Sequence, residues 1–164
     1  MLRAFFEREA ASDSEPVGVE MGFGVDLAAP VDPPTPRFVG YIDRVDRRPD
    51  GTLDLVDYKT GPPRDQAAVD ADAQLTGYAF ALASGGVHDP ATGAVLPAAS
   101  RVGLYFTDPA CMVWSTRSPS QLEAFRNRIL AVVGSIRESE FRARPAAERC
   151  RWCEYRGVCA DARA

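Results

Sequence analysis

Two aspartates and a lysine fall close together in the stretch from Gly40 to Gly61, which reads GYIDRVDRRPDGTLDLVDYKTG. This stretch predicts two strands joined by a tight turn at residues 48–51, because proline, aspartate and glycine favour such turns. Strand side chains alternate between two faces, so Val39, Tyr41, Asp43 and Val45 share one face of the first strand, which predicts a buried apolar stripe that turns acidic toward one end. Asp43 on that strand and Asp57 and Lys59 on the second converge if those faces pair. Two carboxylates and an ammonium group on rigid strands suit a divalent-metal hydrolytic site.

Lys59 stands out in this group because it is the only lysine among the 19 basic residues of the chain. Arginine stays protonated and presents a planar fork, whereas lysine is a point charge whose pKa can fall on burial. A chain that uses arginine at every other basic position therefore predicts that position 59 needs an amine. The alternative interpretation is a surface lysine at the end of a strand.

Further polar residues lie on the elements that flank this hairpin. Residues 17–25 alternate apolar side chains with glycine and acidic residues, which predicts a strand with Glu20 opposite its apolar face. Glu20 is then either a solvated strand residue or a residue near the site. Residues 66–84 predict a helix, on which Gln74 and Tyr78 share one face because they are four positions apart. Their place directly after the lysine strand makes them candidates for the same site.

The C-terminal segment holds three of the four cysteines, Cys150, Cys153 and Cys159, with the spacing C-x2-C-x5-C. No signal peptide is visible at Met1, so a disulfide framework is not expected. The spacing suits a metal or an iron–sulfur cluster, and a structural zinc site is the alternative because zinc takes the same thiolate ligands. Cys111 lies in an apolar context and is predicted to be a core residue.

Length and composition predict one ordinary globular domain over residues 1–164. Hydrophobic residues make up 46% and charged residues 26%, and the net charge is −4, so any contact with nucleic acid must come from local arginines. No apolar run reaches the roughly 20 residues that cross a bilayer, and a cytoplasmic location without membrane contact is expected. The predicted parts are a core (17–84), a second hairpin and helix (101–141) and a cysteine-rich tail (142–164).

The combination of these patterns resembles the RecB-like branch of the PD-(D/E)XK nucleases. The matching stretches are G-x-I-D-R-x-D at 40–46, D-Y-K-T-G at 57–61, Q-L-x-x-Y at 74–78 and the terminal C-x2-C-x5-C. The resemblance runs from about Val17 to Cys159. It implies an α/β (α+β) fold of restriction-endonuclease type, in which helices flank a mixed central β-sheet.

The resemblance also implies a role for each matching residue. Asp43 and Asp57 match the acidic ligands of Mg²⁺ or Mn²⁺, and Lys59 matches the lysine that positions or polarises the attacking water. Gln74 and Tyr78 match the helix residues that flank the site and touch the DNA backbone. The three C-terminal cysteines match three of the four ligands of a [4Fe–4S] cluster that pins the C-terminus to the N-terminal part of the domain.

Two features of the family do not occur before Glu20: a histidine on a helix ahead of the first strand, which is an additional metal ligand, and the first cluster cysteine. Both would fall upstream of Met1, which predicts a shortened chain. Glu20 is the candidate to compensate for the histidine. Cys111 or a partner would have to supply the missing cluster ligand.

The expected activity is hydrolysis of DNA phosphodiester bonds by a metal-dependent exonuclease that acts on single-stranded ends in repair or recombination, with a helicase fused or recruited. Carboxylate oxygens are the ligands that Mg²⁺ prefers, and a bound metal lowers the pKa of water and neutralises phosphate oxygens. Lys59 would add positive charge where the phosphate becomes more negative. The alternative is a catalytically incomplete nuclease-like module that binds DNA or a helicase partner.

Overall fold

The computed structural model describes residues 2–27 and 35–162. Its elements follow one another as α1 (Leu2–Ala10), β1 (Glu15–Asp26), β2 (Arg37–Arg47), β3 (Leu53–Lys59), α2 (Gln66–Asp70), α3 (Ala73–Ala83), β4 (Arg101–Phe106), β5 (Cys111–Ser115), α4 (Pro119–Arg137), α5 (Ala147–Arg151) and a 3₁₀ helix (Glu154–Gly157). Two compact units divide the chain, Met1–Ile129 and Leu130–Ala164. The sheet and the helices that flank the hairpin belong to the first.

Five described strands form one mixed sheet in the order β1-β2-β3-β4-β5. Neighbouring strands are antiparallel except β3 and β4, which are parallel. A parallel pair needs a crossover connection, and α2 and α3 supply it between these two strands. The mixed sheet with flanking helices confirms the fold class predicted from the sequence.

The turn between β2 and β3 forms where the sequence predicts it. Gly51 has a φ of +82°, a conformation that glycine adopts without steric cost. Asp50 closes the turn by accepting hydrogen bonds from the backbone N–H and the hydroxyl of Thr52, at 3.0 and 2.6 Å. The hairpin register pairs Val45 with Leu55, so these two buried side chains share a face. That register places Asp43 across from Asp57.

One expectation for β2 is wrong. The alternation of Val39, Tyr41, Asp43 and Val45 predicted an apolar stripe buried on one face, but Val39 and Tyr41 are 62% and 71% exposed. The ladder between β2 and β3 ends at the pair Arg44–Val56, and residues 37–42 pair only with β1. The first half of β2 therefore extends past β3, and the residues that it buries are those of the other face, such as Ile42.

The helix predicted over residues 66–84 is two helices. Asp65 caps α2 by accepting the N–H of Ala68 at 2.8 Å, and Asp72 caps α3 by accepting the N–H of Leu75 at 2.9 Å. A second capping aspartate inside the predicted helix ends one helix and starts the next, because an N-cap residue has an extended backbone conformation. The restart fixes where α3 presents Gln74 and Tyr78.

The core lies between the sheet and α3, where burial of apolar surface provides the main stabilisation. Its fully buried side chains include Ile42, Val45, Leu53, Leu55, Leu75, Leu82, Leu104 and Tyr105. Phe38 on β2 and Phe80 on α3 both pack against Phe125 on α4, with ring centroids 5.8 Å apart in each case. None of the described helices combines the length and the apolar character that a membrane crossing requires.

Candidate active site

Asp57 lies near the C-terminal end of β3 and is the most deeply buried acidic residue of the candidate site, with a side chain that is 1% exposed. It follows Leu55 and Val56, which are fully or almost fully buried. Burial raises the pKa of the Asp57 carboxyl, and the nearby charges of Asp43 and Asp72 raise it further, against the opposing effect of Lys59. A buried carboxylate whose charge is disfavoured gains from a cation that binds it.

Asp43 lies on β2 at the point where that strand leaves β3. Its Oδ2 accepts the backbone N–H of Tyr58 at 2.9 Å, so the carboxylate takes the place of a strand partner for this donor. The contact ties Asp43 to the residue directly after Asp57. The structure thus brings together the two carboxylates that the sequence analysis placed on one face.

Lys59 ends β3 and reaches back over the same face. Its Nζ lies 2.6 Å from Asp57 Oδ2 and donates a hydrogen bond to Gln74 Oε1 at 2.8 Å. The contact with Asp57 is an ion pair with a buried carboxylate, and Lys59 opposes the rise in the pKa of Asp57 that burial causes. Asp57 Oδ2 is therefore held beside a cation.

Gln74 and Tyr78 connect α3 to this group. The Gln74 side-chain amide donates to the Tyr78 hydroxyl at 2.7 Å, and that hydroxyl lies 3.4 Å from Asp57 Oδ1, to which it can donate. Burial raises the pKa of Tyr78 to about 12, so its hydroxyl stays protonated at neutral pH. Lys59, Gln74, Tyr78 and Asp57 form a closed ring of contacts that orients the amine and one carboxylate.

The donor set fits a magnesium-type ion. Mg²⁺ is commonly held by one or two carboxylates, with waters and substrate phosphates completing its coordination. Asp43 and Asp57 supply two carboxylates, and the Lys59 ammonium beside Asp57 Oδ2 marks that oxygen as a place for positive charge. Among the described residues, no group of three or more Cys, His, Asp or Glu side chains could hold a metal without other ligands. A metal here would depend on water or phosphate for its remaining ligands.

Glu20 lies on β1 across from Asp43, because the register pairs the flanking residues Val19 with Arg44 and Met21 with Ile42. Its side chain is exposed, and its φ of +47° is unusual for a residue other than glycine. Glu20 thus falls in the same row of the sheet as Asp43 and Asp57. The sequence pattern placed it on the face away from the apolar stripe, where the structure also has it.

The three C-terminal cysteines lie in α5 and after it. Cys150 is buried in α5, Cys153 is exposed and Cys159 is half-buried, and they are not a group that could hold a metal in the part of the chain that is described. The [4Fe–4S] cluster therefore stays a prediction from the spacing of the cysteines. Cys111 is half-buried at the start of β5, which corrects the prediction of a core residue, since β5 is the last strand of the sheet.

A buried cation, Arg44, lies on β2 next to Asp43 and is a residue to which the sequence pattern alone assigned no role. Arg44 is 7% exposed on β2 and donates to Glu9 and Asp46, each at 2.6 Å, and to the Tyr58 hydroxyl at 3.3 Å. These contacts tie α1, β2 and β3 together beside Asp43. A signal was present, because an arginine between Ile42 and Val45 interrupts an apolar strand and needs buried partners.

The comparisons with known proteins agree with this fold. The family model described as "PD-(D/E)XK nuclease superfamily" matches residues 1–160. A solved structure described as "Crystal structure of SSO0001" is similar at a TM-score of 0.56 and 12% sequence identity, over 97% of this chain and 68% of that chain. None of the curated proteins matches the sequence. The structural likeness concerns the fold, and the family match concerns almost the whole chain.

Proposed function

This chain belongs to the PD-(D/E)XK nuclease superfamily, and from that premise we propose that it is a Mg²⁺- or Mn²⁺-dependent deoxyribonuclease of the RecB-like branch. Within that proposal it is an exonuclease that acts on single-stranded DNA ends in repair or recombination, works in the cytoplasm and has a helicase as partner or fusion. One observation carries the proposal: Asp43, Asp57 and Lys59 meet at the end of β3, with the Lys59 ammonium 2.6 Å from the buried Oδ2 of Asp57.

Each residue has a task in this proposal. Asp43 and Asp57 would hold the metal, which when bound supplies an acidic water and neutralises phosphate oxygens. Lys59 holds its ammonium beside Asp57, where it can orient the attacking water and stabilise charge that develops on the phosphate. Gln74 fixes Lys59 through the 2.8 Å hydrogen bond. Gln74 and Tyr78, which are joined by a hydrogen bond on α3, would contact the DNA backbone.

A second candidate function is a nuclease-like module that binds DNA or a helicase without cleaving it. It is favoured by the small ligand set, since the described residues offer two converging carboxylates and no third ligand group. Measured Mg²⁺ binding without cleavage would support this candidate over the nuclease.

The test is cleavage of 5′-labelled linear single-stranded DNA with Mg²⁺ or Mn²⁺, compared with EDTA. We expect cleavage with either metal and none in EDTA, because the metal activates the attacking water. A circular single strand of the same sequence is the matched control, and an exonuclease leaves it intact. DNA binding without cleavage would indicate the non-catalytic module. If the chain neither cleaves nor binds the DNA, both candidate functions are contradicted.

Glu20 is proposed as a supporting acidic residue, because it lies across β1–β2 from Asp43. We expect Glu20→Gln to lower the cleavage rate about 10- to 100-fold, the usual effect of losing a group that acts on a metal through its ligands or waters. Glu15→Gln is the matched control, since Glu15 is exposed on the same strand across from Arg47. Equal rates for both variants would make Glu20 a solvated strand residue.

A metal at Cys150, Cys153 and Cys159 remains a proposal from their spacing alone, and no step of the reaction depends on it. Iron and acid-labile sulfide in the purified protein would indicate a cluster, whereas zinc would indicate the structural alternative.

A further inference from the structure

We propose that the exposed face of β2 formed by Arg37, Val39 and Tyr41, the Tyr41 face, binds the single-stranded DNA substrate with one base stacked on Tyr41. The inference rests on the nuclease function proposed above and assigns the approach of the substrate strand to particular residues. The three residues are two positions apart, so they share one face of the strand over about 13 Å. A cation, an aliphatic side chain and an aromatic ring thus lie in line, and Asp43 of the candidate site follows Tyr41 by two residues.

The aromatic ring is unusually exposed for its position. Tyr41 is 71% exposed and Val39 62% exposed, whereas Ile42 on the other face of the same strand is fully buried. Large apolar side chains that lie together on a surface mark interaction sites more often than isolated ones do. Tyr41 precedes Asp43 by two residues, so a base on its ring would lie about 7 Å along the strand from the carboxylate.

Glycines on β1 shape this face. The register pairs Gly22 with Tyr41 and Gly24 with Val39. A Cβ added at Gly22 would lie 3.5 Å from the Tyr41 ring, and one added at Gly24 would lie 2.5 Å from the Arg37 guanidinium. The ring and the guanidinium therefore lie across the glycines of the neighbouring strand. Glycine in a strand commonly marks a place where a ligand or another backbone comes close.

Two cavities border Tyr41. One, of about 510 Å³, is also lined by Gln74 and Tyr78, which are joined to Lys59 and Asp57 by the contacts of the candidate site. The other, of about 430 Å³, is lined by Arg37. Both volumes lie in the usual range of sites for small molecules. The surface on both sides of Tyr41 is thus concave, and on one side it reaches the residues that hold the lysine.

The charges of the face suit a phosphate near Arg37. The nearest acid to Arg37 is Asp26, at 3.6 Å from its Nε, and both side chains are more than half exposed, so this ion pair is weak. His88 also lines the cavity beside Arg37. The acidic residues Asp43 and Glu20 lie beyond the other end of the face, after Tyr41 on β2 and across from it on β1. A cation that follows the backbone and an aromatic ring that stacks a base are the usual means of binding single strands.

The test is the affinity for a fluorescein-labelled oligothymidine strand, measured by fluorescence anisotropy in EDTA, where no cleavage is expected. Tyr41→Ala should weaken binding roughly 5- to 150-fold, the effect of losing one stacked base. Tyr41→Trp should bind at least as tightly as the original chain because it keeps a stacking ring. Val19→Ala is the matched control, since Val19 is 65% exposed on the same hairpin but pairs with Arg44, on the other face.

A competing role for Tyr41 is to cover Gly22, since an aromatic ring can shield a glycine across a strand pair. In that case Tyr41→Ala lowers the melting temperature and leaves the affinity unchanged, which overturns the proposal. Loss of affinity in Tyr41→Trp as well as in Tyr41→Ala also overturns it. If Tyr41→Ala cleaves and binds normally while the original chain is an active nuclease, only this inference fails. If the original chain neither binds nor cleaves, the proposed function fails with it.

Discussion

Asp57→Asn is expected to lower metal-dependent cleavage by at least about 10²- to 10³-fold without lowering the melting temperature at pH 7. The side chain is 1% exposed, and its ionised form is disfavoured by burial. Asparagine has nearly the same shape and no charge, so it removes a buried carboxylate that the fold stabilises poorly. The same charge is what a metal requires. Activity and stability should therefore change in opposite directions at this position.

The pH dependence of this variant follows from the direction of the shift. Burial raises the pKa of Asp57 in the folded chain above its value of about 3.9 in an unfolded chain. The folded state then binds the proton more tightly, so the stabilisation is present at low pH and is lost as the pH rises through the raised pKa. Asparagine does not titrate. The variant should gain stability relative to the original chain as the pH rises from 4 to 7, measured by calorimetry in EDTA.

Metal binding gives this prediction a readout that is independent of catalysis. A ligand that binds only the folded state stabilises it by about 1.4 kcal/mol at ten times its dissociation constant, or by about 3–6 °C in a domain of this size. Mg²⁺ should therefore raise the melting temperature of the original chain and should not raise that of Asp57→Asn. An equal rise in both proteins would show that the metal binds elsewhere.

Asp54→Asn is the matched control because Asp54 lies on the same strand and is also buried. It differs in being paired, since Arg101 donates to both its carboxylate oxygens at 2.8 and 2.7 Å. Its loss should cost about 1–2 kcal/mol, or about 2–8 °C, and should leave cleavage unchanged. If Asp57→Asn lowered the melting temperature as much as Asp54→Asn does, Asp57 would be a structural residue.

Much of the candidate site follows from local sequence. The period of two on the strands placed Asp43, Asp57 and Lys59 on facing sides of a hairpin, and the turn at Asp50-Gly51 set their register. The four-residue spacing of Gln74 and Tyr78 put both on one side of α3. These patterns recur in the structure because each depends on the backbone geometry of a single element or of one tight turn.

What the sequence did not predict depends on contacts between elements. The end of the β2–β3 ladder at Arg44–Val56 decides that Tyr41 is exposed, and no period within β2 contains that information. The predicted helix divides at Asp72 because the capping hydrogen bond of the Asp72 side chain outweighs the helix propensity of the residues around it. The partners of Arg44 come from α1 and β3 and were likewise not readable from its own strand.

Replacing Lys59 should abolish cleavage for a different reason than replacing Asp57. Lys59→Met keeps a side chain of similar length without the charge, and we expect a loss of about 10²- to 10³-fold in cleavage. The Mg²⁺ response of the melting temperature should persist or increase, because the ammonium at 2.6 Å from Asp57 Oδ2 competes with a metal for that oxygen. The two variants thus separate metal binding from the chemical step.

Lys59→Arg decides whether the site needs an amine or only a positive charge. The chain uses arginine at its other 18 basic positions, and the guanidinium is a wide planar fork that cannot take the place of a compact ammonium between Asp57 and Gln74. We expect Lys59→Arg to be nearly as inactive as Lys59→Met. Arg64→Lys is the matched control, since Arg64 is half-exposed and forms an ion pair with Asp72 at the start of α3, and it should cleave normally. A Lys59→Arg protein with more than a tenth of the original rate would show that charge alone suffices, and the use of the single lysine would then need another explanation.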